Sequence, residues 1–236
     1  PWDTWLSCEE TTVRAGDRYS KDHGYVFEVR PSESPELQKA VPIPAMGRFT
    51  HESAAVDPRS GVVYMTEDLA DGLLYRYIPT VPGKLHEGGR LQCLMVKGTA
   101  RVDTRNWEQR VAKVGEPFAV EWIDVEDIYA PDNDMRIVNH AKGAALFGRG
   151  EGTWFADGTV YFACTVGGAK MRGQIWKYTP SEKEGTPAER LKPGSLELFV
   201  EPDDDAVISN CDNLTVSPWG DLVVCEDAVP ADDKEN

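Results

Sequence analysis

Four short stretches hold the residue types that handle cations and anionic substrates: Thr4-Trp5-Leu6-Ser7-Cys8-Glu9-Glu10, Gly47-Arg48-Phe49-Thr50-His51-Glu52, Gly148-Arg149-Gly150-Glu151-Gly152-Thr153-Trp154 and Ser209-Asn210-Cys211-Asp212-Asn213-Leu214. In the second and third, a glutamate stands just ahead of a strand-like run, so Glu52 and Glu151 share one slot in two similar units. The fourth offers a third candidate slot ahead of the last strand of the chain. Carboxylates gathered in one place suit hard cations such as Ca²⁺ or Mg²⁺. Arg149 precedes Glu151 by two residues. An arginine so placed clamps an anionic oxygen, usually phosphate, or forms a structural salt bridge.

Cys8 fits less simply. The carboxylates beside it disfavour a thiolate, and a thiolate ligand asks for a softer metal such as iron, zinc or copper. Cys8 therefore reads either as part of a mixed metal site or as a small buried hydrophobe at a strand end. His51, next to Glu52, reads as structural rather than as a base. The five cysteines form no Cys-x-x-Cys pair, which speaks against a zinc ribbon or a thioredoxin-like motif.

The elements that must position these residues are strands. Runs rich in Val, Tyr, Trp and Phe, bounded by Gly, Pro and Asp, recur through the chain, and no stretch keeps a 3.6-residue apolar period. Gly61–Asp68 leads to Gly72–Pro79, Gly158–Thr165 leads to Gly173–Pro180, and Gly220–Asp227 starts the unit again. This aligns Cys8, Thr66, Cys164 and Cys225, and with them the segments Cys-Glu-Glu, Thr-Glu-Asp and Cys-Glu-Asp. A repeat of about 60 residues built of antiparallel strands predicts an all-β fold, a β-propeller with elaborated loops, ahead of a β-sandwich. Its acidic residues would then converge on one end of a central channel. Roughly three and a half units are visible, fewer than a closed propeller needs, so the expectation is a partial propeller domain over 1–236 with an insertion at about 80–145.

Composition narrows the partners. Forty acidic against 25 basic side chains give a formal charge of −15, which argues against nucleic acid as a partner. No apolar run reaches the ~18 residues of a membrane span.

The motifs Thr4–Glu10, Gly47–Asp68, Gly148–Trp154, the strand pair Thr159–Thr165 with Gly173–Pro180, and Asp212–Asp227 resemble, in order, those of the PhoX family of bacterial alkaline phosphatases. The resemblance implies a six-bladed β-propeller with a cluster of iron and calcium at the channel mouth. It implies calcium-dependent hydrolysis of small phosphate monoesters and twin-arginine export to the periplasm. Carried over by motif, Cys8 becomes an iron ligand, with Glu9, Glu52, Asp71, Glu151 and Asp212 as further metal ligands and Arg149 as the catalytic, substrate-phosphate contact. A second substrate arginine has no clear match, and Arg172 and Arg190 are the two candidates. The resemblance also implies blades outside this sequence. The alternatives from other classes are a calcium-stabilised propeller that binds without turnover, and a related hydrolase of phosphodiesters, phosphotriesters or lactones.

Overall fold

The strand runs Val63–Glu67, Leu74–Pro79, Thr159–Cys164 and Gln174–Thr179 are buried along most of their length, which is the pattern of a sheet covered on both faces. The structure, a computed structural model, describes residues 2–33, 37–204 and 206–227. Strands β1 (Trp5–Cys8) and β2 (Val26–Val29) form an antiparallel pair. Four strands then run up and down in order: β3 (His51–Val56), β4 (Val63–Glu67), β5 (Leu74–Pro79) and β6 (Gly89–Val96). After β7 (Pro117–Asp124) and the helix α1 (Met135–Lys142) comes a second set: β8 (Gly150–Ala156), β9 (Thr159–Cys164), β10 (Gln174–Thr179) and β11 (Ser195–Val200). The described chain closes on the pair β12 (Cys211–Val216) and β13 (Leu222–Glu226).

These are the blades of a β-propeller-like fold. Strand β7 pairs with β6 on one side and β11 on the other, so the two four-stranded blades join at their outer edges. At the inner edge β3, β8 and β12 lie side by side. The Thr153 amide donates to Ser53 Oγ at 3.1 Å, and a Cβ on Gly152 would stand 2.7 Å from the Cα of Asn213. Only glycine permits that approach.

The core lies between blades. Strand β4 is buried at every residue, and its side chains alternate between two apolar layers. Val63 and Met65 join Tyr75, Tyr77 and Leu91 on one side, while Tyr64 faces Leu74, Phe147, Trp176 and Tyr178 on the other. A smaller third layer holds Ala163, Ile175, Cys211 and Leu214. This is the physical reason that the repeat appears as continuous apolar runs.

Two expectations change. The stretch 80–145 is not wholly an insertion, because β6 within it is the fourth strand of the second blade. Its start is exposed and it carries the buried Gln92, which hides its strand character. Secondly, Cys164 does not match Thr66. The inner-strand pairings His51 with Glu67, Gly150 with Cys164 and Cys211 with Glu226 make Glu67, Cys164 and Glu226 the equivalent residues.

One buried ionic group holds the two full blades together. Arg76 on β5 donates to Gln92 at 2.9 Å, to Glu184 at 2.5 Å and to both oxygens of Glu189 at 2.7 and 2.8 Å. Its guanidinium also stacks over Trp122, 4.4 Å from the ring centroid. Arg76→Met leaves two buried carboxylates uncompensated and should destabilise the fold by about 3–5 kcal/mol. Adding Glu184→Gln and Glu189→Gln should recover part of that loss, as read from urea denaturation midpoints.

Candidate active site

The inner strands share one irregularity, and it falls at the same residue each time. Between His51 and Ala54, Gly150 and Thr153, and Cys211 and Leu214, three steps on the inner strand oppose two on its partner. Each is a β-bulge, a device that bends a strand and re-aims a side chain. The second residue of each strand, inside the bulge, is Glu52, Glu151 and Asp212 respectively. One carboxylate oxygen from each lies within 4.8 Å of the others. Three blades thus deliver three carboxylates to one point.

Such a group is electrostatically costly. Burial pushes the Glu151 carboxyl up to about 9, aided by the charges of Asp68, Glu52 and Asp212 and opposed by Arg149. Glu52 is raised by burial, then by Asp212 and Asp68. Glu10 also belongs here: burial, a hydrogen bond with Asp68 and the charge of Glu52 raise it to about 7. Cys8, partly buried, is pushed up to about 12 by desolvation and by the Glu52 carboxylate. All four shifts favour protons in the absence of a cation, and a cation would reverse each of them.

Arg149 is the positive group beside them. Its Nε and Nη2 donate to the two oxygens of Asp68 at 2.7 and 2.8 Å, and Nη2 lies 3.1 Å from Glu151. Among the described residues Nη1 makes no hydrogen bond, and the side chain is 36% exposed, which leaves one face for a ligand. The backbone of Arg149 is left-handed, with φ of 53°, an uncommon state for a non-glycine residue.

The other expected residues are placed differently. Glu9 turns away from the cluster: its carboxylate accepts from the Gly24 and Tyr25 amides at 2.9 and 3.1 Å and pairs with His23 at 2.8 Å. Glu67 does the equivalent in the next blade, accepting from the Leu73 amide at 3.1 Å and the Tyr75 hydroxyl at 2.9 Å. In each acidic pair, then, the first residue ties its own blade and the second, Glu10 or Asp68, faces the centre. Neighbouring residues of an extended chain point to opposite sides, so the pair cannot act as one. Asp71 lies outside the cluster, half-exposed and bonded to Arg136 at 2.7 Å. His51 is structural as expected: fully buried, stacked on Phe49 with ring centroids 3.5 Å apart, and pushed down to about 3 by desolvation.

Of the candidate second arginines, Arg190 lines a separate pocket of about 450 Å³ with Arg76, Trp122 and Glu189. The backbone of Arg172 is nearer, because its carbonyl accepts from the Asn210 amide at 2.9 Å. Glu10 and Asp68 also stand beside the cluster, and neither is among the ligands that the family motifs assign. The signal was available in the repeat, since each is the second acid of its pair.

Blades that direct carboxylates and one arginine to a common centre define a propeller protein with a cation-ready acidic site. The chain belongs to the alkaline phosphatase PhoX family, whose model matches residues 1–235. Among solved structures it is similar to Pseudomonas fluorescens PhoX in complex with vanadate, a transition state analogue, with a TM-score of 0.68 and 18% identity. That match covers 98% of this chain and 54% of the other, so the chain spans about half the length of that protein. The likeness corroborates the propeller fold. No helix among the described residues is long and apolar enough to cross a membrane.

The split within the acidic pair is testable. Glu9→Ala should cost roughly 1–2 kcal/mol by stranding two amide donors, while leaving the affinity for an added divalent cation unchanged. Glu10→Gln should weaken the binding of an added divalent cation at least severalfold without lowering the unfolding midpoint, measured by calorimetric titration and thermal melting.

Proposed function

We propose that this chain carries the metal-binding centre of a phosphatase that hydrolyses small phosphate monoesters, with calcium and iron as its cations. The observation that carries the reading is the convergence of Glu52, Glu151 and Asp212 from three successive bulges, with Arg149 beside them. The donor set fits the cations the family implies. Carboxylate oxygens from Glu52, Glu151, Asp212 and Glu10 are hard ligands suited to calcium, and Cys8, whose thiol lies near Glu52, supplies the one soft ligand suited to iron.

An acidic protein attracts a phosphate only where bound cations reverse the local field. When bound, those cations would supply Lewis-acid stabilisation of the phosphoryl oxygens and activate the attacking oxygen. The protein's own part is positional. Asp68 holds the Arg149 guanidinium from one edge, so the Nη1 edge is presented to the phosphoryl group as negative charge spreads over its oxygens. Glu151, bonded to the same guanidinium, links the arginine to the cation-binding carboxylates. As in the family, the protein would act in the periplasm after twin-arginine export.

A second reading, a cation-stabilised propeller that binds without turnover, is favoured by one observation: two edges of Arg149 are already taken by Asp68 and Glu151. The two readings separate in one assay of the full-length protein with p-nitrophenyl phosphate. Turnover should be lost on chelation and restored by calcium. Arg149→Ala should lower kcat/KM by roughly 10²- to 10³-fold, and Cys8→Ala should remove iron as measured by metal analysis. Activity that survived chelation, or a metal content without iron or calcium, would overturn the phosphatase reading.

A further inference from the structure

The turn after Asp68 is held from several directions at once. Four consecutive residues, Leu69 to Gly72, each accept a hydrogen bond from a different donor. Leu69 O accepts from the Arg149 amide at 3.0 Å, and Ala70 O from Arg105 Nη1 at 3.0 Å. Asp71 Oδ1 accepts from Arg136 Nε at 2.7 Å, and Gly72 O from the Phe147 amide at 2.8 Å. Two of these donors are arginine side chains on segments outside the blades: the loop between β6 and β7, and helix α1.

Both arginines are fixed before they reach the turn. Arg105 is paired edge-on with Asp103 at 2.8 and 2.6 Å, and its guanidinium lies 4.0 Å from the centroid of the Trp107 ring. Trp107 in turn donates its indole N–H to Val166 O at 2.7 Å. Arg136 donates a second bond to Asn133 O at 2.6 Å. The Arg105 loop also supports the other side of the site. A Cβ on Gly148 would stand 3.4 Å from both Arg105 Cγ and Trp107 Cζ2, so the loop packs directly beneath the residue that precedes Arg149. A left-handed non-glycine backbone such as that of Arg149 persists only where its surroundings over-determine it.

We infer that Arg105 and Arg136 are positioning residues that fix the Leu69–Gly72 turn, and through Asp68 set the direction in which the Arg149 guanidinium is presented. The functional side of this inference rests on the phosphatase reading above, whereas its geometric side does not. It also gives Asp71 a role outside the metal group, as the acceptor that seats Arg136 on the turn.

The test uses the full-length protein with calcium and the variants Arg105→Ala, Arg105→Lys, Asp71→Asn, Arg149→Ala and Arg105→Ala/Arg149→Ala. Three quantities are read: kcat and KM for p-nitrophenyl phosphate, the inhibition constant of vanadate, and the exchange rate of the Arg149 Nε proton by NMR. Arg105→Ala should lower kcat roughly 10- to 100-fold, weaken vanadate by a similar factor, and change KM less. In the Arg149→Ala background the same substitution should cost less than about twofold, because residues acting as a unit are not additive. Asp71→Asn, a milder change at a half-exposed residue, should move each quantity in the same direction. The Arg149 Nε proton should exchange at least about tenfold faster in Arg105→Ala and in Asp71→Asn. An equal loss in both backgrounds, full rescue by Arg105→Lys, or an unchanged Nε exchange rate would overturn the inference. If the parent protein shows no turnover, the phosphatase reading fails alone, and the exchange rate still decides whether the turn positions Arg149.

Discussion

Like charges repel at the centre of this molecule, and the fold around them is built to hold them there. Three carboxylates from three blades lie within 4.8 Å of one another, and Glu10 and Asp68 stand close by. In water such groups would separate. Here the bulges of β3, β8 and β12 point them inward, and the inter-blade core keeps the strands from relaxing apart. Burial first, and then the repulsion, raises the carboxyls of Glu52, Glu151 and Glu10. A site in this state is poised to exchange protons for cations.

Arg149 is the guanidinium paired with Glu151 among the described residues, and its arrangement reflects two competing demands. It offsets part of the acidic charge, and it has to keep an edge available for an anion. The side-on pairing with Asp68 meets both, because it occupies Nε and Nη2 and leaves Nη1 without a bond among the described residues. The cost is a left-handed backbone at Arg149. The packing of Gly148 on Arg105 and Trp107 and the bond from the Arg149 amide to Leu69 O offset that strain. Segments between the blades therefore serve the centre as much as the blades do.

Stability and function are distributed differently. The ionic group around Arg76, under the outer pocket, joins the two full blades through fully satisfied, buried bonds. Its one guanidinium faces two carboxylates, and the hydroxyls of Tyr64 and Tyr178 and the amides of Ser181 and Gly185 supply the remaining hydrogen bonds. The central carboxylates Glu52, Glu151 and Asp212 converge on one point with Arg149 paired to Glu151, and that uncompensated acid is what separates a cation-ready site from the satisfied group around Arg76.

The sequence by itself determined the all-β class, the repeated unit and the slots of Glu52, Glu151 and Asp212. These depend on local pattern: apolar runs bounded by turn residues, and an acidic residue at a constant offset from each run. It also marked Arg149 by its spacing from Glu151. Only the tertiary structure shows that Glu9 bonds within its own blade while Glu10 meets Asp68, since adjacent residues face opposite sides and no spacing tells which side is the centre. It decided likewise that Asp71 pairs with Arg136, that β6 belongs to a blade despite its polar start, and that Cys164 aligns with Glu67. Each of these depends on pairing register across strands distant in sequence, which a one-residue slip would invert.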